Sequence, residues 1–251
     1  MVTIHDLAFE AIPGEMNPVT TLKYRLLARR SATTAQLVIC PSAFTAEDLE
    51  LRYGIPAERI RVIPEAAALA AGSLPPPPGR YLVAAGDLRR KKNLPVLITA
   101  FRTLVDEGLP HRLILAGADL GLGSELLERA AGAPVELRGF VPDDRLDALL
   151  RGAEALVVPG TYEGFGLVTL DAMARGCPVV LARAGALPET GGGAALYFDP
   201  YDAGDLVRVL RRVLEDAGER ERLADEGRAR AAAFSWDETA AATMAVYEEL
   251  L

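Results

Sequence analysis

The residues best suited to chemistry lie in a short loop before a helical pattern that begins near Leu167. Glu163 opens the stretch EGFGL, and Asp171 follows eight positions later. Carboxylates accept hydrogen bonds from hydroxyl groups, so Glu163 suits a sugar and Asp171 a ribose. Gly164 and Gly166 let the backbone approach a ligand, and the free N–H groups of a new helix favour a phosphate. Two isolated surface carboxylates are the alternative interpretation of this spacing.

A second cluster is a run of basic residues just before another helical pattern, namely Arg89, Arg90, Lys91 and Lys92. Cations fixed at the end of a strand could hold an anionic ligand and stabilise negative charge that develops on it. A solvated run of surface charge is the alternative interpretation. Two observations favour a site: the run holds two of only three lysines in the chain, and it follows a predicted strand.

The chain contains only two histidines. His5 lies at the carboxyl end of a predicted strand, where parallel sheets bind ligands. His111 precedes a strand, and we predict no role for it. A lone histidine is more often structural, so both readings of His5 stay open. Glu189 lies in a loop at the same end of the predicted sheet as Glu163 and is a further candidate for contact with the same ligand.

These residues require a scaffold, and the pattern after residue 80 predicts one. Short runs rich in Val, Leu and Ile alternate there with longer amphipathic runs, which is typical of a doubly wound α/β sheet of parallel strands. The predicted strands are 81–86, 112–117, 135–140, 155–160, 178–183 and 194–199. The predicted helices are 94–108, 124–132, 142–153, 167–176, 202–215, 218–233 and 236–251.

Four consecutive prolines, residues 75–78, mark a boundary because polyproline cannot continue a helix or a central strand. We predict an Ala/Pro-rich linker over 64–79 and a ligand-binding domain over 80–235. Before the linker, strands are predicted at 2–7, 36–40 and 59–64, and helices at 20–34 and 44–54. These elements make a poor sheet alone, so we expect 1–63 to be the end of a larger Rossmann-like N-terminal domain. The last helix, 236–251, is expected to pack back toward that part.

Several stretches in the right order together resemble a known family. They are IHDLAF, PSAFTAEDL, RIRVIP, AAGDLRRKKNL, RGFVPDDRLDALLRGA, EGFGL, GALPETGG and FSWDETA. The chain resembles the GT-B retaining glycosyltransferases of the glycosyltransferase 4 type, nearly from end to end. It looks most similar to mannosyltransferase-like members that elongate bacterial polysaccharides, with the N-terminal domain truncated.

The resemblance implies a nucleotide diphosphate sugar, linked to UDP, GDP or ADP, as donor and a glycan or lipid-linked acceptor. It implies that Lys92 binds the pyrophosphate, that Glu163 contacts the donor sugar, and that His5 reaches the sugar from the N-terminal side. Gly164, Phe165, Gly166 and Leu167 would line the sugar and phosphates. Retention of configuration follows from the resemblance as well. Metal independence is expected because no Asp-x-Asp pair is present, and no cofactor is expected.

Two positions depart from the family pattern. Asp171 stands where the family has a second Glu as its ribose ligand, and its side chain is shorter by about 1.5 Å. Asp87 stands where the family often has an Arg after the strand-end glycine. Lys91, Arg90 or Arg89 would then have to supply the second cation at the pyrophosphate.

Composition and missing motifs exclude several other classes. A net charge of −8 argues against a general nucleic-acid-binding protein. Cys40 and Cys177 are isolated, so neither a disulfide framework nor a metal site is predicted. No Gly-Lys-Ser/Thr, correctly spaced G-x-G-x-x-G or Asp-x-Asp occurs, which argues against P-loop enzymes, dinucleotide-dependent oxidoreductases and metal-dependent glycosyltransferases. The sequence has no signal-peptide pattern and no membrane-spanning apolar stretch, so we expect a cytoplasmic protein.

One alternative comes from another functional class. Because much of the acceptor-side domain would be absent, the chain could bind a nucleotide sugar without transferring it, or require a separate N-terminal partner. An open sheet edge would favour self-association. Peripheral contact with the inner membrane surface would occur through the N-terminal domain.

Overall fold

In a computed structural model that describes residues 1–251, the chain forms two parallel β-sheets. The first sheet has three short strands in the order β1-β2-β3: β1 (Val2–Thr3), β2 (Val38–Cys40) and β3 (Ile60–Val62). The second has six strands: β4 (Tyr81–Ala85), β5 (Arg112–Ala116), β6 (Val135–Gly139), β7 (Ala155–Val158), β8 (Val179–Ala182) and β9 (Leu196–Phe198). Their order is β6-β5-β4-β7-β8-β9, and every pairing is parallel. The predicted parallel α/β architecture is confirmed.

Eleven helices accompany the strands. Those of the N-terminal part are α1 (Ala8–Ala11), α2 (Pro18–Thr34) and α3 (Ala43–Tyr53). The others are α4 (Leu94–Asp106), α5 (Gly123–Ala130), α6 (Asp143–Gly152), α7 (Leu167–Ala174), α8 (Leu187–Gly191), α9 (Ala203–Glu215), α10 (Ala217–Ala232) and α11 (Trp236–Glu248). The sequence pattern did not predict α1 and α8, because four or five residues are too few to show a helical period.

The predicted strand over residues 2–7 is wrong at its end, because β1 stops at Thr3. Asp6 turns the chain: its Oδ1 accepts a hydrogen bond from the backbone N–H of Ala8 at 3.0 Å and leads into α1. His5 therefore lies in a short coil immediately beyond the strand, where its side chain is exposed.

The six-stranded sheet carries the main hydrophobic core. Forty-one buried residues form one cluster around it. Helix α4 contributes apolar side chains at a spacing of three and four residues, so they lie on one face against the sheet. Those that are buried are Leu94, Leu97, Ile98, Ala100, Phe101 and Leu104.

The three-stranded sheet has a smaller core of 11 buried residues. Helix α2 buries only Ala32 among its 17 residues. Several of its apolar side chains are exposed instead: Val19, Leu22, Tyr24, Leu26 and Leu27. No acidic residue balances the basic ones on this helix.

Residues 64–79, predicted as a linker, contain neither helix nor strand and lie against the six-stranded unit. Arg175 donates to the backbone carbonyls of Leu69 and Ala70, at 2.7 and 3.0 Å. Arg175 is itself paired with the buried carboxylate of Asp147 at 2.8 Å. We call residues 64–74 the strap, because side chains of the six-stranded unit fix their backbone.

The last helix, α11, crosses to the three-stranded sheet. Val246 is buried in a cluster with Leu37, Ile39 and Ile63. Arg61 also donates to Glu249 at 2.6 Å. Division into domains at residues 63, 79 and 235 stays a prediction. None of the helices combines the length and the apolar character needed to cross a bilayer.

Candidate functional site

A cavity of about 620 Å³ lies where the two sheets face one another. The order of the six strands reverses direction between β4 and β7. Doubly wound sheets bind ligands in that crevice. Eight of the predicted residues line the cavity: His5, Lys92, Glu163, Gly164, Phe165, Gly166, Leu167 and Asp171.

Lys92 and Glu163 form an ion pair at the centre of this cavity. The Lys92 Nζ lies 2.7 Å from the Glu163 Oε1, and only 9% of the Glu163 side chain is exposed. The lysine stem passes Gly86, whose φ is +126° and where a Cβ would lie 3.2 Å from the lysine Nζ. A glycine at the end of β4 therefore leaves room for the lysine. The pair places a cation beside a hydrogen-bond acceptor in one partly desolvated site.

The loop before α7 brings the two sheets together. Its Gly164 carbonyl accepts hydrogen bonds from Ser42 Oγ at 2.6 Å and Thr45 Oγ1 at 3.2 Å, both at the start of α3. A Cβ on Gly164 would collide with the backbone carbonyl of His5. Gly164 lines the cavity as predicted. Its lack of a side chain, however, is what lets the N-terminal part pack closely against this loop. Gly166, with φ of +96°, begins α7.

Asp171 lines the cavity but already holds the strap. Its Oδ1 accepts from the backbone N–H groups of Ala68 at 2.9 Å and Leu69 at 2.8 Å. The residue is 7% exposed. One carboxylate oxygen is therefore committed to the chain, and contact with a ribose through the other stays a prediction.

Of the four basic residues, only Lys92 lines the cavity. Arg90–Lys92 form a single 3₁₀ turn, and Asn93 follows with φ of +48°. Successive side chains of a tight turn point in different directions. The prediction that Arg89, Arg90 and Lys91 line the donor pocket is therefore not supported by the geometry.

The other basic side chains do not line the cavity, although two of them contact carboxylates that do. Arg89 lies 3.5 Å from Asp87 and 3.9 Å from Glu15, and Arg90 passes beside Gly14. Lys91 Nζ donates to Asp6 Oδ2 at 2.9 Å, which links the two sheet units.

The Lys91–Asp6 pair shifts the pKa of both side chains. Burial alone would raise the pKa of Asp6, but the charge and hydrogen bond of Lys91, aided by the Ala8 N–H, hold it below its usual value. Burial would lower the pKa of Lys91, and the charges of Asp6 and Glu163 raise it instead. Both side chains are therefore charged at neutral pH.

Glu189 does not line the cavity either. Its carboxylate accepts from the backbone N–H groups of Ala43 at 2.8 Å and Phe44 at 2.7 Å. These are unpaired donors of the first turn of α3, where a negative charge also favours the helix dipole. Glu189 therefore caps a helix of the opposite unit, and the predicted contact with the ligand is not supported by this placement.

The interpretation from sequence missed a group of carboxylates. Besides Glu163 and Asp171, the cavity is lined by Asp6, Glu65, Asp87 and Asp143. Glu65 follows β3, and its Oε1 lies 2.9 Å from His5 Nδ1. Glu65 follows the carboxyl end of a predicted parallel strand, and this position could have identified it as a site residue. The assignment of residues from 64 onward to a linker hid that signal. No group of three or more potential metal ligands comes together in the chain.

Two family descriptions match the chain. Residues 69–230 match "Glycosyl transferases group 1", and residues 1–69 match "Glycosyltransferase Family 4". The MMP alpha-(1->4)-mannosyltransferase of Mycolicibacterium hassiacum is 32% identical over 90% of this chain and 57% of its own length. The D-inositol 3-phosphate glycosyltransferase of Salinispora arenicola is 37% identical over 73% of this chain and 44% of its own. The chain thus spans about half the length of these curated relatives.

Solved structures show the same fold. Sucrose-phosphate synthase from Thermosynechococcus elongatus superposes with a TM-score of 0.79 at 26% identity, over 99% of this chain and 67% of that one. Anabaena Alr3699/HepE, solved in complex with UDP and glucose, gives a TM-score of 0.77 at 23% identity, over 99% and 71%. With a family match over 69–230 and two sheets in this arrangement, the chain belongs to the group 1 glycosyl transferases of the GT-B fold.

Proposed function

We propose that this chain binds a nucleotide diphosphate sugar in the cavity and transfers its hexose, with mannose the first candidate, to a glycan or lipid-linked acceptor. The observation that carries the proposal is the Lys92–Glu163 pair at the point where the order of the six strands reverses. Mannose is favoured because the M. hassiacum relative is named as a mannosyltransferase.

In this proposal the diphosphate lies between Lys92 and the start of α7. The N–H groups of the first turn of that helix have no partner within the helix and favour an anion. Gly166 and Leu167 line this part of the cavity. Glu163 lies next to Lys92, so a sugar attached to the diphosphate meets a carboxylate that accepts from its hydroxyl groups.

The proposed reaction breaks the bond between the anomeric carbon and the diphosphate oxygen. A new bond forms from that carbon to the acceptor hydroxyl oxygen, and the hydroxyl proton leaves with the diphosphate. Lys92 stabilises the negative charge as it grows on the leaving oxygen, which lowers the barrier more than it strengthens ground-state binding. Retention of configuration rests on the family resemblance, and the absence of a metal on the lack of an Asp-x-Asp pair.

A second proposal is donor binding without transfer by this chain alone. Two observations favour it: the chain spans about half the length of its relatives, and the acceptor-side sheet has only three strands. Contact with a membrane surface and self-association through the edge of β1 stay predictions.

Calorimetric titration of UDP-, GDP- and ADP-sugars tests the site. We expect Lys92→Gln to weaken binding of the preferred nucleotide about 10- to 100-fold, because a charge-assisted hydrogen bond contributes about 1.5–3 kcal/mol. The matched control is Lys23→Gln. Lys23 lies exposed on α2, so this variant should bind nucleotide as tightly as the parent does. Glu163→Gln should reduce the preference for the sugar nucleotide over the free nucleoside diphosphate.

The same titration separates the two proposals. If no nucleotide binds, or if Lys92→Gln and Lys23→Gln bind equally, the donor site is wrong. Release of nucleoside diphosphate in the presence of glycan or lipid acceptors supports transfer. Tight binding with no release under those conditions supports the binding-only proposal.

A further inference from the structure

We propose that Glu65 is a positioning residue that holds the His5 imidazole with its proton on Nδ1, so that Nε2 faces the cavity as a hydrogen-bond acceptor for a substrate hydroxyl. The role of Nε2 rests on the proposed function, whereas the Glu65–His5 pairing stands on geometry alone. His5 Nδ1 lies 2.9 Å from Glu65 Oε1, and both residues line the cavity.

The chemistry of the pair fixes the tautomer. A carboxylate can only accept a hydrogen bond, so the nitrogen that faces Glu65 must carry the proton. The His5 side chain is 70% exposed and the Glu65 side chain only 15%, so the histidine has little other packing to fix its ring. Glu65 therefore determines both the orientation of the imidazole and the nitrogen that remains free.

Two other carboxylates that line the cavity, Asp6 and Glu163, already have partners. Asp6, the neighbour of His5, accepts from Lys91 Nζ and from the Ala8 N–H. Glu163 is paired with Lys92. Neither competes for the imidazole, which leaves Glu65 as its partner.

Glu65 is fixed by its neighbours in the strap. The carbonyl of Pro64 accepts from Thr239 Oγ1 at 2.7 Å, and that of Ala67 accepts from Trp236 Nε1 at 3.0 Å. Both donors lie on α11. Helix α11 therefore holds the backbone on either side of Glu65, and the carboxylate approaches His5 from a rigid segment.

The order of the three-stranded sheet explains how the two side chains meet. His5 follows β1 and Glu65 follows β3, with β2 between them. Two strand spacings amount to about 10 Å, which a glutamate and a histidine can bridge together. Pro41, the residue after β2, lines the cavity between them and carries a short ring. The side chains therefore cross above the end of β2.

A neutral Nε2 discriminates between ligand groups. It accepts from a hydroxyl but has no proton to donate to a phosphate oxygen. We infer that His5 faces a hydroxyl of the donor sugar or of the acceptor, and that Lys92 and the α7 N-terminus serve the diphosphate.

Nitrogen-15 NMR of the imidazoles tests the pairing without any substrate. The chain has two histidines, and the His5 signals are assigned as those lost in His5→Gln. At a pH where the imidazole is neutral, we expect His5 to be protonated on Nδ1 in the parent and to shift toward Nε2 protonation in Glu65→Ala, which removes the acceptor. The control Asp143→Ala removes another cavity carboxylate and should leave the His5 signals unchanged. Unchanged His111 signals in Glu65→Ala show that the fold is intact.

The proposal is overturned if the parent His5 is protonated on Nε2, or if Glu65→Ala leaves the tautomer unchanged. Glu65→Asp, which keeps the carboxylate but shortens its reach, should give a mixture of tautomers. Loss of all binding in the parent would contradict the proposed function and still leave this spectroscopic test decisive.

Kinetics then locate the hydroxyl. We expect Glu65→Ala to lower kcat about 2- to 10-fold, the contribution of one oriented hydrogen bond, with unchanged affinity for a free nucleoside diphosphate. A weaker affinity for the sugar nucleotide assigns the hydroxyl to the donor sugar, and a raised acceptor KM assigns it to the acceptor. An equal loss of affinity for the free diphosphate would contradict the assignment to a hydroxyl.

Discussion

The two sheet units share one cavity but are stabilised differently. Around the six-stranded sheet, helices cover both faces and 41 residues form one buried cluster, whereas the three-stranded sheet has a cluster of 11. Helix α4 buries six of its 13 residues, and α2 buries one of 17. Buried apolar area is the main source of stability in a fold. The unit that supplies Lys92 and Glu163 is therefore the more rigid one.

Several contacts between the two units are polar. Tyr162 donates to Asp48 at 2.6 Å and accepts from the Leu7 N–H at 3.0 Å. The Lys91–Asp6 pair and the Glu189 cap on α3 complete the contact. Directional polar contacts set a geometry and break at small cost. One wall of the cavity therefore lies on the larger core, and the wall that carries His5 is joined to it by hydrogen bonds and by the apolar contact of α11 with the three-stranded sheet.

The largest effect is predicted for the same Leu-to-Ala substitution made in each of the two cores. Leu97 in α4 and Leu49 in α3 are both fully buried. Each change to Ala removes buried methyl groups and should cost about 2–5 kcal/mol. We expect Leu97→Ala to lower the protection of the six-stranded sheet in hydrogen exchange. Leu49→Ala should lower protection within residues 1–63 and largely spare nucleotide binding.

A uniform loss of protection in both variants would contradict this prediction, because it would mean that the two units unfold as one. Peptide-resolved mass spectrometry separates the two patterns, since residues 1–63 and 80–235 give distinct peptides.

The next effect concerns the strap that joins the units. Asp171→Ala leaves the Ala68 and Leu69 N–H groups without their acceptor, which should cost about 1–3 kcal/mol in unfolding free energy. Asp171→Asn is the matched control, because an amide oxygen can still accept both bonds. Faster exchange confined to the strap in the Ala variant is the expected result. Equal exchange in the Ala and Asn variants would show that these bonds do not hold the strap.

The smallest effect is a pH dependence of the contact between units. The pKa of Asp6 is held below its ordinary value of 3.8, so its pairing stabilises the fold above that pH and the contribution disappears as the pH falls through the lower, folded-state value. Lys91→Gln should lower the free energy of unfolding by about 1 kcal/mol or less at neutral pH and should leave it unchanged in strong acid. Denaturant titration across that range measures the difference. Lys23→Gln serves as the control. A difference in unfolding free energy between Lys91→Gln and the parent that persists in acid would contradict the assignment.

Much of the fold followed from patterns that act locally. Apolar runs bounded by glycine and proline predicted the six strands of the main sheet to within two residues at each end. The two short helices and the early end of β1 were missed, because a four-residue helix has no period and Asp6 bends the chain through one hydrogen bond. The glycine-rich loop and Lys92 were recognised from their place after strands. The predicted role of Arg89, Arg90 and Lys91 at the diphosphate stays a prediction, because residue order does not reveal which way each side chain of a tight turn points, and none of the three lines the cavity.

The family, the parallel architecture and the cavity-lining segment from Glu163 to Asp171 could be predicted from the sequence, since they depend on residues that are close along the chain. The partners of the charged groups could not be predicted in this way. Lys91 and Glu189 join the two units, Lys92 meets Glu163, and Glu65 meets His5 across 60 residues of chain. Electrostatic and hydrogen-bond partners are chosen by distance in space, and only the packing of the two sheets sets that distance.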